Sequence, residues 1–197
     1  MLKRILIFTA ILTLSSSVIS NDATQIDKIL SISSELPGGD FVLYSSQGKF
    51  SLKQQRGKVV LLYFGYTKCP DVCPSSLAVL VQALNELCTD ELKSVQAVFV
   101  SVDPERDTYQ VLDEYVSYFH PNLMGVTGSE SDIAEIAKRY GVQYEKVALE
   151  GSNFGYSVNH SAETYLISQE GELRFIFPHQ TPPFVILEAI RYLLTSK

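Results

Sequence analysis

Two thiols four positions apart and one imidazole far downstream are the groups in this sequence best suited to chemistry. Cys69 and Cys73 lie in Lys68-Cys69-Pro70-Asp71-Val72-Cys73-Pro74, and His160 lies in Tyr156-Ser157-Val158-Asn159-His160-Ser161. A pair of thiolates with a neutral imidazole is a soft, three-donor set. Such a set favours Cu(I), and two sulfurs with one nitrogen also suit Cu(II). Zinc usually takes a fourth ligand, which water would have to supply. Cys69, Cys73 and His160 are therefore the candidate metal ligands, and copper is the expected ion.

The two cysteines support a second chemistry that needs no metal. A thiolate attacks a partner's disulfide and is released by the second thiol, so Cys69 and Cys73 are also candidate redox residues. Thioredoxin-type reductases use C-x-x-C, whereas here three residues intervene. A disulfide between positions i and i+4 is still within reach, since it needs Cα atoms within about 7 Å. A surface loop between prolines is a poor place for a purely structural bridge. A thiol peroxidase would carry threonine three residues before its reactive cysteine, and Thr67 stands two before Cys69.

The remaining polar residues carry less. Cys88 follows Leu84-Asn85-Glu86-Leu87 and reads as a small hydrophobe at a helix end. His120 precedes Pro121 and His179 follows Pro178, so both read as solvated loop residues. Met1 and Met124 are the only methionines, which excludes a methionine-rich copper site. Asp103-Pro104-Glu105-Arg106-Asp107 has two readings: a local ion pair or turn cap, or a partner-docking edge near the cysteines. Asp71 either tunes the charge of the thiols or is a solvated loop acid.

Positioning these groups falls to a series of alternating elements. Phe41–Tyr44 and Lys49–Leu52 flank Ser45-Ser46-Gln47-Gly48, a hairpin signal. Lys58–Phe64 is a β-branched and aromatic run of the kind buried on both faces of a sheet. Pro74 suits the first turn of a helix, where its missing N–H is not needed. Leu77, Leu80, Val81, Leu84 and Leu87 continue it at helical spacing. Val95–Val102 reads as a strand, Thr108–Phe119 as a helix, Leu123–Val126 as a strand, and Ser129–Tyr140 as a helix with Ser131 as its cap and Gly141 past its end. Glu163–Ser168 and Leu173–Phe177 form a second hairpin, and Pro183–Thr195 a last helix. This order predicts an α/β chain of thioredoxin-like fold, with a mixed central sheet flanked by helices and an N-terminal hairpin. Cys69 and Cys73 sit where a strand hands over to a helix. The positive end of the helix dipole and Lys68 both favour thiolates there. A histidine beside a strand is more often structural than a ligand. On this fold, however, the loop before the late hairpin, which holds His160, faces the cysteine turn.

The 197 residues suit one domain with appendages. Hydrophobic content of 46% against 19% charged residues excludes a disordered chain. A formal charge of −6 with no basic cluster excludes a nucleic-acid face. Lys3-Arg4, the apolar run from Ile5 to Leu14 and the serine-rich stretch to Ser20 make residues 1–20 a signal peptide, or alternatively an uncleaved membrane anchor. Residues 21–36 are a polar tether and 37–197 the thioredoxin-like domain. Either leader reading puts that domain outside the cytoplasm, periplasmic or exported, where disulfides form. Membrane association then needs the leader to stay attached.

Three motifs in register carry a resemblance. Tyr63-Phe64-Gly65-Tyr66-Thr67-Lys68-Cys69-Pro70-Asp71-Val72-Cys73-Pro74, Ser101-Val102-Asp103-Pro104-Glu105-Arg106-Asp107-Thr108 and Val158-Asn159-His160-Ser161 together resemble the Sco/SenC family, over roughly Pro37 to Leu194. The resemblance implies a thioredoxin fold and a copper site at Cys69, Cys73 and His160. It also implies a role in delivering copper to the Cu(A)-bearing subunit of cytochrome c oxidase, or in reducing its cysteines, with other copper or thiol carriers as further partners. Two positions depart from the family pattern. Lys68 stands where the family often has histidine, which bears on thiolate stability more than on ligation. Asn159 stands where it often has aspartate, which removes a carboxylate able to steady a ligand from outside.

Overall fold

A computed structural model describes residues 38–149, 151 and 155–196. The expected leader and tether lie outside the described residues. The chain forms β1 (Val42–Ser45), β2 (Gly48–Ser51), a 3-10 turn (Leu52–Gln55), β3 (Val59–Gly65), α1 (Val72–Asn85), α2 (Thr89–Lys93), β4 (Val95–Ser101), α3 (Tyr109–Ser117) and β5 (Leu123–Val126). It continues with α4 (Glu130–Tyr140), β6 (Tyr144–Ala148), β7 (Tyr156–His160), β8 (Thr164–Ile167), β9 (Leu173–Phe177) and α5 (Pro183–Thr195).

The central sheet has the order β5-β4-β3-β8-β9. Strands β3, β4 and β5 run parallel, while β8 and β9 are antiparallel to their neighbours. This is the mixed sheet expected, with the N-terminal β1–β2 hairpin beside it. Tyr44 and Thr127 exchange backbone hydrogen bonds of 2.8 and 2.9 Å, which dock that hairpin onto the end of β5. All seven residues of β3 are buried, as its unbroken apolar run requires of a central strand. Each fully buried Val or Leu there contributes about 1.5–3 kcal/mol. Helix α1 buries Cys73, Ser76, Leu77, Leu80, Ala83 and Leu84 and packs beside α5. No described helix is long and apolar enough to cross a membrane.

Four details differ from expectation. The cap of α4 is Ser129, not Ser131: Ser129 Oγ accepts the Asp132 N–H at 3.1 Å, and the Asp132 carboxylate accepts the Ser129 N–H. Cys88 is exposed rather than packed, because the chain turns there into α2, a single turn with no buried residue. His120 is buried, its Nδ1 accepts the Asn122 N–H at 3.0 Å, and burial lowers its pKa. His160 does not sit in a loop. It closes β7, which pairs antiparallel with β6 in a two-stranded sheet of its own.

Candidate metal centre

The cysteine loop leaves the carboxyl end of β3 and enters α1 at Val72. That geometry puts Cys73 in the first helical turn, fully buried, and leaves Cys69 half-buried outside it. Gly65 makes the room: a Cβ there would lie 2.7 Å from Cys73 Sγ and 3.0 Å from the Phe99 ring. All three cysteines are free thiols. The two loop sulfurs share their protons unequally. Cys73 donates its S–H to Cys69, and the backbone N–H groups of Cys73 (3.4 Å) and Asp71 point at the same sulfur. The Cys73 thiol first, then the His160 side chain and the two amides, hold Cys69 down to about 3 against the opposing cost of burial. Cys73 is pushed far up, because ionising it would break that bond and charge a buried sulfur. The pair therefore carries one thiolate and one thiol at neutral pH.

His160 is aimed by its own backbone. Its Nδ1 lies 2.7 Å from the Ser161 carbonyl oxygen. A carbonyl only accepts, so the ring proton is assigned to Nδ1 and Nε2 keeps its lone pair. That nitrogen faces Cys73 Sγ at 3.2 Å, so the single Cys73 S–H lies between two acceptors, Cys69 Sγ and His160 Nε2. Tyr66 and Tyr63 meet the ring edge-on at centroid distances of 5.7 and 6.4 Å. The two sulfurs and one ring nitrogen all lie within 4.8 Å of one another. Donors so placed suit a single ion, whose bonds to such atoms run about 2.0–2.3 Å.

The family model for SCO1/SenC matches residues 31–195. The chain belongs to the SCO1/SenC family. The mitochondrial SCO1 homolog 1 of Arabidopsis thaliana is 46% identical over 134 residues, which cover 68% of this chain. The match spans only 40% of that plant protein's length. The structure of Bradyrhizobium japonicum ScoI with copper bound is similar at a TM-score of 0.72 and 34% identity, over 80% of this chain and 99% of the other. BsSco, described as a member of the Sco family of cytochrome c oxidase assembly proteins with a disulfide switch, is similar at a TM-score of 0.65 and 25% identity, over 82% and 95%. The thioredoxin-like fold expected from the order of elements is thus the fold of these Sco neighbours.

In this SCO1/SenC chain the Asp103–Asp107 segment works inward. Asp103 and Arg106 form the expected ion pair. Asp107 pairs elsewhere: its carboxylate accepts the Thr67 N–H at 3.0 Å, the Thr67 hydroxyl, and the Ser101 hydroxyl at 2.6 Å. Burial raises the Asp107 pKa while those bonds oppose it. Thr67 lies two residues before Cys69, so Asp107 anchors the cysteine loop. Tyr156 donates to Asp103 at 2.7 Å, and its hydroxyl is pushed up to about 12, first by burial and then by that bond.

Thr67, weighed in the sequence only against a peroxidase pattern, and Ser101, Tyr156 and Ser161 were given no role there. A signal for the first two existed. Gly65 pairs with Ser101 at the ends of parallel strands β3 and β4, and the loops beyond such ends lie side by side. The other candidates fall outside the donor set. Lys68 and Asp71 are exposed, and it is the Asp71 N–H that reaches Cys69. Asn159 is exposed opposite Glu145, and the His160 ring is held by the Ser161 carbonyl instead. His179 is exposed as expected, but its Nδ1 lies 2.8 Å from Ser76 Oγ on α1.

The Cys69 charge has a direct readout. In a Cys88→Ser background, iodoacetamide should modify Cys69 at a nearly constant rate from about pH 8 down to about pH 5, while an ordinary thiol slows about tenfold per unit below ~8.5. Because the folded value is depressed, this thiolate stabilises the fold above the ordinary thiol value. That contribution is lost as pH falls through about 3. An ordinary tenfold decline per unit would show that Cys69 gains no support from Cys73 and the loop amides.

Proposed function

We propose that this protein is a copper metallochaperone, holding one copper ion on Cys69, Cys73 and His160 and passing it to the Cu(A)-bearing subunit of cytochrome c oxidase. The observation that carries the reading is the bare Nε2 of His160, turned by the Ser161 carbonyl toward two sulfurs, one already ionised. Three soft donors converge with no hard oxygen among them. Copper-bound structures of Sco proteins and the oxidase-assembly description of the family support the same conclusion.

The chemistry follows from the proton inventory. Copper binds the Cys69 thiolate and displaces one proton from Cys73, while His160 adds its lone pair without losing a proton. Release reverses this as an acceptor's ligands replace these donors one at a time, beginning at half-buried Cys69. Other copper or thiol carriers would exchange at the same edge. The leader would export the domain to the periplasm or tether it there. A thiol–disulfide role needs only Cys69 and Cys73, and it leaves the aim of His160 without a task.

Titration with Cu(II) should show one ion per wild-type chain, and His160→Ala should weaken it by at least about 10-fold, near 1.4 kcal/mol. Unchanged affinity and absorption spectrum in His160→Ala would sink the three-donor reading. In cells lacking their own copy, both Cys69→Ser and His160→Ala should fail to restore the oxidase. Rescue by His160→Ala alone would favour the thiol–disulfide role.

A further inference from the structure

The strand that carries His160 is not part of the central sheet. Strands β6 and β7 hydrogen-bond only to each other among the described strands. Whatever ties this arm to the body therefore decides where His160 points. Two ties are exposed ion pairs, from Lys146 to Glu105 at 2.8 Å and to Glu130 at 3.3 Å, of a kind that contributes little. Val158 of β7 is buried in the core and its backbone bonds Tyr66, and a further set of ties converges on Tyr156, the first residue of β7. Its hydroxyl donates to Asp103, which is fully buried, and its carbonyl accepts Arg106 Nη1 at 2.8 Å. The Arg106 guanidinium lies 3.7 Å over the Tyr156 ring and 5.6 Å from the centroid of Tyr66, the ring that walls His160. The same guanidinium pairs with Asp103. One side chain thus compensates a buried carboxylate, caps the start of β7 and covers two aromatic rings.

We propose that Asp103, Arg106 and Tyr156 form a latch, a set of positioning residues that holds the β6–β7 arm down and so sets how firmly His160 completes the donor set. The proposal rests on the copper reading for what His160 does, and on geometry for what holds it. The cysteines are held separately, by β3, α1 and the Asp107 bonds to Thr67. Opening the latch therefore weakens Cu(II), which draws on the nitrogen donor, far more than Cu(I) held by two sulfurs.

The test uses the full chain with Arg106→Gln and Tyr156→Phe, alone and combined with His160→Ala. In the metal-free protein, imidazole nitrogen shifts and the ring contact between His160 and Tyr66 should lose their wild-type signature in Arg106→Gln. With Cu(II) bound, nitrogen coupling in the paramagnetic resonance spectrum should fade and affinity fall at least 10-fold, while Cu(I) affinity changes less than about threefold. Arg106→Gln/His160→Ala should bind no more weakly than His160→Ala, because the two changes act through one group. Arg106→Lys should restore part of the loss. Wild-type ring signals in Arg106→Gln, or losses that add in the double variant, would overturn the latch. If Arg106→Gln does not fold, Tyr156→Phe carries the same comparison with the same two outcomes. If His160→Ala itself binds Cu(II) like wild type, the copper reading fails, and the metal-free ring signals still decide the latch.

Discussion

Cys73→Ala is expected to lose Cu(I) affinity by about 10³-fold or more, roughly 4 kcal/mol, in anaerobic competition with a coloured chelator. The size follows from where the sulfur sits. Cys73 is the fully buried member of the pair and lies 3.2 Å from His160 Nε2. Without it a Cu(I) ion meets one thiolate and one imidazole, and half of the soft donation is gone. The same substitution removes the thiol donor that does most to hold Cys69 ionised, so the flat alkylation profile of Cys69 should regain a slope. The fold should survive, because only one sulfur atom leaves a site at the edge of the core. A loss under 10-fold, with the melting temperature unchanged, would show that Cys73 is not a ligand.

Asp107→Ala carries the second large effect, on stability. Three donors from Thr67 and Ser101 end on that carboxylate, and Ser101 and Asp107 are both fully buried. Stranding them costs about 1–3 kcal/mol for each unmet group before relaxation, and about 3 kcal/mol overall is expected. For a domain of this size that lowers the melting point by about 6–12 °C. Asp107→Asn keeps an acceptor oxygen and should cost less. The raised pKa fixes the pH dependence. The group's contribution is full below the ordinary carboxyl value of 3.8 and declines as pH rises through its own higher value. Asp107→Asn does not titrate there, so it should close on wild type between about pH 4 and pH 7. Urea unfolding of both variants across that range measures this. A cost below about 1 kcal/mol for Asp107→Ala would show that other contacts hold the cysteine loop.

The central sheet and the place of the cysteines were legible because they rest on strong local patterns. Val59–Phe64 is apolar throughout and becomes the middle strand, and Pro74 with its leucine spacing becomes α1 around Cys73. The arm that carries His160 was not legible. Tyr144-Glu145-Lys146-Val147-Ala148 is mostly exposed and pairs only with β7, so neither an alternating face nor a buried run marks it. Its contacts with the body include a buried ion pair and a tyrosine hydroxyl, groups whose partners lie about fifty positions away and leave no local trace, beside the buried Val158. His160 was found as the imidazole just before the late hairpin, which a thioredoxin-like order of strands turns toward the cysteine loop, and the motif resemblance pointed to it as well. Helix α2 went unread for a similar reason: Thr89–Lys93 buries no residue, and its cap uses a backbone N–H and Glu91 rather than an apolar stripe.

Gly65 carries a consequence for how such sequences diverge. Its backbone lies outside the left-handed region, so any amino acid meets the torsional requirement there. What shuts the position is the Cys73 sulfur 2.7 Å from the first side-chain carbon, with Phe99 and Tyr63 closing the other sides. In descendants of this chain the two sites are bound together. A larger residue at 65 becomes tolerable only once the sulfur at 73 is gone, so aligned homologues should gain side chains at 65 only in lineages that have already dropped the cysteine.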